Sequence, residues 1–293
     1  MSVIRDNVLI SELTIPGTHN SMAFKCNCLA QCQNFDLNTQ LNMGIRFVDV
    51  RCCHSMNQFE LYHGCFKIHG DFEYDVMDVF VKFLHTNPTE SIICSLKPEN
   101  LSRSRNNTRD FSETFLIYVS KYKKYWYLCD EIPTMGEARG KIVLLRRFFS
   151  MSLPLGIDMF AWKDSETFAL HNHPNVKFFI QDEHRLARNE KFGVVMNFLN
   201  YAQSMKQGGV WFLNFASASF WPFQSPFIIS NRINKCLNSY LECLNICQRQ
   251  QYDKFNLGTI IIDFANQDLV KNIFEINISK NKWVRNNWFL NKV

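Results

Sequence analysis

Short apolar runs alternate with longer amphipathic stretches along all 293 residues, and this alternation most constrains the possible folds. It favours a parallel sheet covered by helices, because a parallel crossover needs a connection about as long as a helix. The candidate strands are Leu13–Ile15, Phe47–Arg51, Glu60–His63, Ser91–Leu96, Lys141–Arg147, Lys177–Gln181, Val210–Phe215 and Thr259–Phe264. Eight strands without a Gly/Ser-rich linker predict an α/β protein with one (β/α)8 barrel, a single domain over residues 1–293.

Apolar residues at helical spacing occur between several of these strands. The predicted helices are Leu37–Met43, Tyr74–Thr86, Phe111–Tyr122, Phe192–Ser204 and Asn231–Cys247. The less regular stretch Met151–Asn175 is expected to be a long loop. No apolar run approaches the roughly 18–20 residues that span a bilayer. The first residues lack the apolar core of a secretory signal, so we expect a protein that is cytoplasmic or secreted without a visible signal peptide.

Composition narrows the classes of partner. A net charge of +5 makes the surface mildly basic, which suits an anionic membrane surface or a phosphorylated substrate. It is too weak to imply binding to nucleic acid. The hydrophobic share of 46% is ordinary for a globular protein with a large core.

The eleven cysteines do not form a recognisable metal-binding pattern. Cys26, Cys28 and Cys32 cluster, but the chain lacks the paired C-x2-C spacing of zinc sites, and we predict no metal site. Without a signal peptide, free thiols are expected. In a secreted protein, this cluster could instead pair with Cys52, Cys53 or Cys65.

Polar and charged side chains stand at the ends of the apolar strands. They are His19, Asn20, Asp49, Arg51, His63, Lys97, Arg146, Arg147, Asp182 and Asp263. In a (β/α)8 barrel, the working residues lie at the carboxyl ends of the strands and in the loops that follow. Buried charges are costly unless they are paired or used. We therefore predict that these strand ends form an active site.

Two histidines, an arginine and a carboxylate suit displacement at a phosphodiester. One histidine can act as base and the other as acid, while the guanidinium neutralises charge that develops on the phosphoryl oxygens. A carboxylate behind the first histidine would fix its tautomer and stabilise its charged form. This set predicts a phosphodiester-cleaving barrel with no obligatory metal.

Eight short motifs combine these strand ends with their neighbours. They are Ile15–Ser21 (IPGTHNS), Gly44–Arg51 (GIRFVDVR), Leu61–Gly64 (LYHG), Ser95–Glu99 (SLKPE), Gly140–Arg147 (GKIVLLRR), Ile180–Asp182 (IQD), Leu213–Ser219 (LNFASAS) and Ile260–Phe264 (IIIDF). Together they resemble the catalytic X region of phosphatidylinositol-specific phospholipase C, and the bacterial type is the closest match. They occur in order and span roughly residues 10 to 280. The resemblance implies a distorted (β/α)8 barrel that cleaves phosphatidylinositol or its glycosylated anchors to diacylglycerol and inositol 1,2-cyclic phosphate.

The resemblance also implies roles for individual residues. His19 would be the general base, oriented by Asp263, and His63 would protonate the departing diacylglycerol oxygen. Arg51 would hold the phosphate, and Asp49 would either support catalysis directly or, as we prefer, aim Arg51 as its ion-pair partner.

The inositol headgroup has its own set of expected contacts. Lys97, Arg147 and Asp182 match positions that bind inositol hydroxyls, although Arg146 adjoins Arg147 and strand parity is uncertain by about one residue. His184 stands where the family tends to have a tyrosine that stacks on the inositol ring.

Asn20 is a departure that leaves two alternatives open. The bacterial type usually has an aspartate there that assists the acid, whereas calcium-dependent relatives have an asparagine that binds calcium. A calcium-dependent phospholipase is disfavoured because Arg51 would put a fixed positive charge where the ion should sit. A catalytically inactive inositol-lipid-binding domain is the other alternative, and the presence of both His19 and His63 argues against it.

Three aromatic residues are candidates for transient membrane contact. Phe24 follows the first strand, and Trp221 and Phe223 lie in a loop that resembles the aromatic rim loop of the family. The alternative is that they are ordinary core aromatics. We expect a monomer that contacts the surface of a membrane containing phosphatidylinositol.

Overall fold

The structure is a computed structural model that describes residues 1–99, 102, 104–173, 176–205, 209–220, 222–250 and 256–278. Its described residues form a mixed α/β fold around one sheet. The strands are β1 Ile15–Thr18, β2 Phe47–Ser55, β3 Gln58–His63, β4 Phe66–Asp71, β5 Ile92–Pro98, β6 Trp126–Tyr127, β7 Ile142–Arg146, β8 Ile157–Asp158, β9 Thr167–His173, β10 Val176–Gln181, β11 Val210–Phe215 and β12 Thr259–Ile262.

The sheet runs in the order β6-β7-β5-β2-β1-β12-β11-β10-β9. All neighbours along this order are parallel except β9, which is antiparallel to β10. Among the described strands, β6 and β9 do not pair with each other, so the barrel is open between them. The predicted α/β barrel is confirmed in this distorted form.

Two local predictions about this sheet are wrong. Glu60–His63 is not a parallel barrel strand, because β3 pairs antiparallel with β2 and forms a hairpin with β4. The stretch Met151–Asn175 is not a continuous loop, because it contains β8 and β9. At the hairpin, the apolar pattern does not distinguish parallel from antiparallel pairing. In Met151–Asn175, β8 has only two residues and β9 buries Phe168 and Leu170, which is too short a pattern to predict a strand.

Helices cover the sheet. They are α1 Leu37–Met43, α2 Asp78–Thr86, α3 Phe111–Lys121, α4 Met135–Ala138, α5 Arg188–Ser204, α6 Pro226–Gln250 and α7 Gln267–Ile278. A π-helical turn, Phe72–Met77, leads into α2. No helix in the described part of the chain is both long and apolar enough to cross a membrane.

Local sequence signals account for several helix ends. The Asp36 side chain accepts a hydrogen bond from the amide of Thr39 at the start of α1, and Gly44 ends that helix with φ of +119°. At the start of α3, Asp110 and Glu113 form a reciprocal capping box. These caps satisfy backbone groups that have no partner within the helix.

Alternation along the strands divides the core into two layers. Phe47 of β2 belongs to one apolar cluster, whereas Val48 and Val50 belong to the other, which also contains side chains of the covering helices. The first cluster includes Ile93, Val143, Phe178 and Ile261 from the neighbouring parallel strands and fills the inside of the barrel. Strand positions that share the parity of these residues therefore point toward the barrel interior.

Candidate active site

The polar side chains at the strand ends meet because each has the same parity as the inward-facing apolar residues of its strand. We call such a series of alternate residues an inward-facing row. Asp49 and Arg51 follow Phe47 at two-residue intervals, so all three side chains lie on one face of β2. Five further polar residues lie two or four positions after an apolar residue of the inner core and so face the same way. They are His19 after Ile15, Lys97 after Ile93, Arg147 after Leu145, Asp182 after Ile180 and Asp263 after Ile261.

These side chains line a pocket with a volume of about 380 Å³. Eight of the ten predicted catalytic and substrate-binding residues are in its wall. They are His19, Arg51, His63, Lys97, Arg147, Asp182, His184 and Asp263. Asp49 and Asn20 are buried behind the wall.

His19 and Asp263 form a buried pair at the end of adjacent strands β1 and β12. Nδ1 of His19 donates a hydrogen bond to Oδ1 of Asp263 at 2.8 Å. The Gln33 amide donates to the carbonyls of His19 and Ile262 and so ties the two strand ends together. Burial, with Arg51 nearby, lowers the pKa of His19 well below its usual value, and burial raises that of Asp263. The lowered pKa favours the neutral imidazole, and the contact at Nδ1 leaves Nε2 as the ring nitrogen directed away from Asp263.

His63 reaches the same pocket from the end of the β3–β4 hairpin. Its Nδ1 donates a hydrogen bond to the Ala30 carbonyl at 2.7 Å, which fixes the ring and leaves Nε2 free. The two imidazole rings meet edge to face, with 5.7 Å between their centroids. Burial, followed by the charge of Arg51, lowers the pKa of His63 below its usual value.

Arg51 is held between two carboxylates. Its Nε donates to Oδ2 of Asp49 at 2.9 Å, and its Nη1 lies 3.5 Å from Oε2 of Glu99. Asp49 also lies 3.6 Å from Nη1 of Arg147. Burial alone would raise the pKa of Asp49, but Arg51 and Arg147 lower it overall, so this carboxyl is ionised. The preferred ion-pair role for Asp49 thus agrees with the geometry.

Lys97 lies beside this cluster, and the charges of the cluster change its pKa. The positive charge of Arg51 and partial burial lower the pKa of Lys97 to about 8. Its Nζ lies 3.8 Å from Oε1 of Glu99. Glu99 was not among the predicted site residues, although it ends the SLKPE motif two positions after Lys97 on the same side of the chain.

Arg147 and Asp182 are joined through Trp162, another residue that the sequence analysis missed. The Arg147 guanidinium stacks 3.7 Å from the Trp162 ring centroid, and the Trp162 indole donates to Oδ2 of Asp182 at 2.9 Å. Arg146 has the opposite parity and pairs with Asp158 instead. The choice of Arg147 over Arg146 is therefore supported by the position of both side chains.

His184 lines the pocket as a half-buried ring. Its Nδ1 donates to the Asp182 carbonyl at 3.2 Å, and its Nε2 lies 3.7 Å from Oδ1 of Asp164. Both contacts set the orientation of the imidazole at the edge of the pocket.

Asn20 has a strained backbone and an unsatisfied side chain. Its φ is +39°, a region that non-glycine residues rarely adopt. Its backbone amide donates to Oδ2 of Asp49 at 3.2 Å, and no described residue accepts a hydrogen bond from its buried side-chain nitrogen. The residue thus lies behind Asp49 rather than in the pocket wall.

Cys32 is a buried thiol between the catalytic candidates. Its sulfur lies 3.7 Å from Nδ1 of His63. Potential ligand atoms of His19, Cys32 and Asp263 lie within 4.8 Å of one another, and no other such group of three was found among the described residues. All eleven cysteines are free thiols in the structure. Oxygen-only donors, which calcium requires, are not what this group offers.

The three predicted membrane residues differ in their surroundings. Phe223 is exposed, whereas Phe24 is half-buried under Lys25, whose Nζ lies 5.8 Å from the ring centroid. Trp221 lies outside the described residues.

Comparisons with known proteins place the chain in a family. Residues 7–148 match the family model for the X domain of phosphatidylinositol-specific phospholipase C. A 1-phosphatidylinositol phosphodiesterase of Listeria monocytogenes is 30% identical over 295 residues, which cover 94% of this chain and 84% of that protein. A protein of the same name from Staphylococcus aureus is 27% identical, with coverage of 94% and 93%.

Solved structures extend the likeness to the fold. A variant of the Staphylococcus aureus phosphatidylinositol-specific phospholipase C has a TM-score of 0.83 at 26% identity, covering 94% of this chain and 95% of that one. The Listeria monocytogenes enzyme has a TM-score of 0.74 at 27% identity, with coverage of 94% and 97%. A further structure of the Staphylococcus aureus enzyme, with a TM-score of 0.81 at 25% identity, concerns modulation of its membrane binding.

The barrel and its pocket thus define an enzyme of the phospholipase C class. The chain belongs to the phosphatidylinositol-specific phospholipase C family, and its similarity is to the bacterial members.

Asp49 should be the residue on which the stability of the site depends most. Replacing Asp49 with Asn leaves Arg51 and Arg147 buried with one fewer negative charge, a change that typically costs about 3–5 kcal/mol. Urea unfolding of Asp49→Asn should show this loss. The matched control is Glu60→Gln, which breaks an exposed pair with Lys67 and should cost less than about 1 kcal/mol. Equal stability of the two variants would contradict this account of the cluster.

Proposed function

We propose that this chain is a metal-independent phospholipase C that cleaves phosphatidylinositol, or glycosylated phosphatidylinositol anchors, to diacylglycerol and inositol 1,2-cyclic phosphate. The observation that carries the proposal is the 2.8 Å His19–Asp263 pair facing His63 in one pocket. A neutral base with an orienting carboxylate, next to a second imidazole, is the arrangement that concerted proton transfer requires.

In the first step, Nε2 of His19 takes the proton from the inositol 2-hydroxyl. The freed oxygen attacks phosphorus and closes the five-membered cyclic phosphate. Asp263 stabilises the resulting imidazolium through the hydrogen bond to Nδ1, and it keeps the ring from turning. Gln33 supports this step indirectly, because it holds the ends of β1 and β12 together.

In the same displacement, the bond from phosphorus to the diacylglycerol oxygen breaks. Nε2 of protonated His63 gives its proton to that oxygen, so diacylglycerol leaves as a neutral alcohol. The contact between Nδ1 and the Ala30 carbonyl supports this assignment, since only Nε2 then faces the pocket. One proton enters His19 and one leaves His63, and the two histidines must exchange protons with water before the next turnover.

Arg51 stabilises the phosphoryl oxygens, where negative charge increases during attack. Asp49 and Glu99 fix its guanidinium in place, which reduces the reorganisation needed when the substrate binds. Lys97, Arg147 and Asp182 supply donors and an acceptor for the inositol hydroxyls. His184 closes this side of the pocket, with less area for stacking than a phenol ring would offer.

The surroundings of Arg51 favour chemistry without calcium. A calcium ion needs six to eight oxygen ligands, and the two nearest carboxylates, Asp49 and Glu99, already face the guanidinium. Arg51 supplies the positive charge itself. This argument weighs against the calcium-dependent alternative, in which Asn20 would be a ligand. The presence of the matched His19 and His63 weighs against a binding module without activity.

The substrate is a membrane lipid, so the pocket must work at a bilayer surface. We infer transient contact that involves the exposed Phe223, by analogy with relatives whose membrane binding has been studied. We propose a monomer as the active form.

The roles of the two histidines can be distinguished by comparing substrates with different leaving groups. His19→Ala should lower kcat/KM by about 10²–10⁴-fold for phosphatidylinositol and equally for a p-nitrophenyl inositol phosphate, because both need the base. His63→Ala should be as harmful with phosphatidylinositol but much less so with p-nitrophenolate, which leaves without a proton. Steady-state assays of both variants on both substrates test this. If His63→Ala lost activity equally on the two substrates, His63 would not be the acid.

The pH profile follows from the lowered pKa of each histidine. The active form needs His19 neutral and His63 protonated, and both pKa values lie below the usual 6.5. Thus kcat/KM should fall as pH rises above about 6.5, because His63 loses its proton. The His63→Ala variant, assayed on the p-nitrophenyl substrate, should lack this fall. A wild-type profile that rises from pH 6.5 to 8 would contradict the assignment.

A further inference from the structure

Four large apolar side chains are exposed on the segment between β7 and β9. Phe149 is 58% exposed, Met151 80%, Leu153 64% and Phe160 57%. We call these four residues the loop patch. Several large apolar side chains exposed on one segment mark a contact site more often than singly exposed ones do. No prediction from the sequence placed membrane contact here.

The loop patch begins at the active-site pocket. Phe160 is part of the pocket wall, and its ring lies 5.9 Å from that of Phe149. The segment follows Arg146, the last residue of β7, so it leaves the sheet at the edge where the strand ends form the site. The patch thus extends the mouth of the pocket with apolar surface.

A second apolar group lies at the same edge. Leu29, Phe223, Phe227 and Ile228 line a neighbouring cavity of about 520 Å³, here called the rim cavity. The rim cavity shares Ser219 and Pro226 with the pocket wall. Exposed apolar side chains therefore lie beside the pocket wall in two places, at the loop patch and at the rim cavity.

Polar groups in the turn that carries the loop patch are hydrogen-bonded within the protein. The hydroxyl of Ser150 donates to the Ser152 carbonyl and accepts from the Ser152 amide. The Arg146 guanidinium donates to the carbonyls of Phe148 and Leu155 on either side of this turn. Internal hydrogen bonds of this kind lower the cost of moving a turn into an apolar medium.

We propose that the loop patch inserts into the phospholipid bilayer beside the substrate, with Met151 and Leu153 deepest. This proposal rests on the proposed function, in which the inositol headgroup enters the pocket while the acyl chains stay in the bilayer. The mouth must then face the bilayer, and the loop patch is part of that mouth. A bilayer also suits flexible aliphatic side chains that have no fixed partner in the described structure.

The test compares binding to phosphatidylcholine vesicles, which contain no substrate. Met151→Ser combined with Leu153→Ser should lower the vesicle partition coefficient by about tenfold or more, because two exposed apolar side chains no longer leave water. The matched control is Tyr74→Ser combined with Ile246→Ser, which removes two side chains that are 69% and 59% exposed and do not line the pocket. It should bind within about twofold of wild type. Sedimentation with sucrose-loaded vesicles measures all three.

A second assay separates this proposal from the proposed function. Turnover of a dissolved short-chain phosphatidylinositol, below its micelle concentration, should be unchanged in the Met151/Leu153 variant. A partition loss in a protein without activity would support the contact and refute only the function. Wild-type-like vesicle binding by the variant would overturn the proposal. So would a wild-type dimer that the variant converts to a monomer, since the patch would then join two copies of the chain.

Discussion

The buried guanidinium of Arg51 is the group on which the site depends. Removing such a charge from water is costly, and Asp49 and Glu99 offset that cost by lying within 2.9 and 3.5 Å of it. Burial, reinforced by this charge, keeps the pKa of both histidines low, and the same charge with partial burial lowers that of Lys97 to about 8. One side chain thus affects the protonation states of three titratable neighbours.

Strand parity explains how the chain builds this cluster with few residues. Each inward-facing row begins in the apolar core and ends, two or four residues further on, with a polar side chain, as in Phe47, Asp49 and Arg51. Because parallel strands bring their carboxyl ends to one edge of the sheet, the rows converge without long loops. The open edge between β6 and β9 leaves these rows intact. The scaffold can therefore be distorted while the geometry of the site is kept.

Parity is also the reason that much of the site could be predicted. His19, Arg51 and Asp263 follow parallel strands whose apolar runs are evident in the sequence. Glu99 and Trp162 were missed because their roles depend on contacts between distant segments, to Arg51 and to Asp182. The antiparallel β3 was misread because alternation fixes which face a residue occupies but not the direction of its neighbour. The strand β9 was missed because its apolar pattern is short. The helix α7 was also missed, and Trp221 lies outside the described residues.

We propose that attack by the inositol 2-hydroxyl, driven by His19 and needing no metal, releases diacylglycerol. The decisive measurement is phosphorus NMR of the products formed from phosphatidylinositol vesicles in excess calcium chelator. We expect the signal of a five-membered cyclic phosphate as the first product, at the rate seen without chelator. Activity that disappears with chelator and returns with calcium, or an acyclic inositol phosphate as the first product, would contradict it.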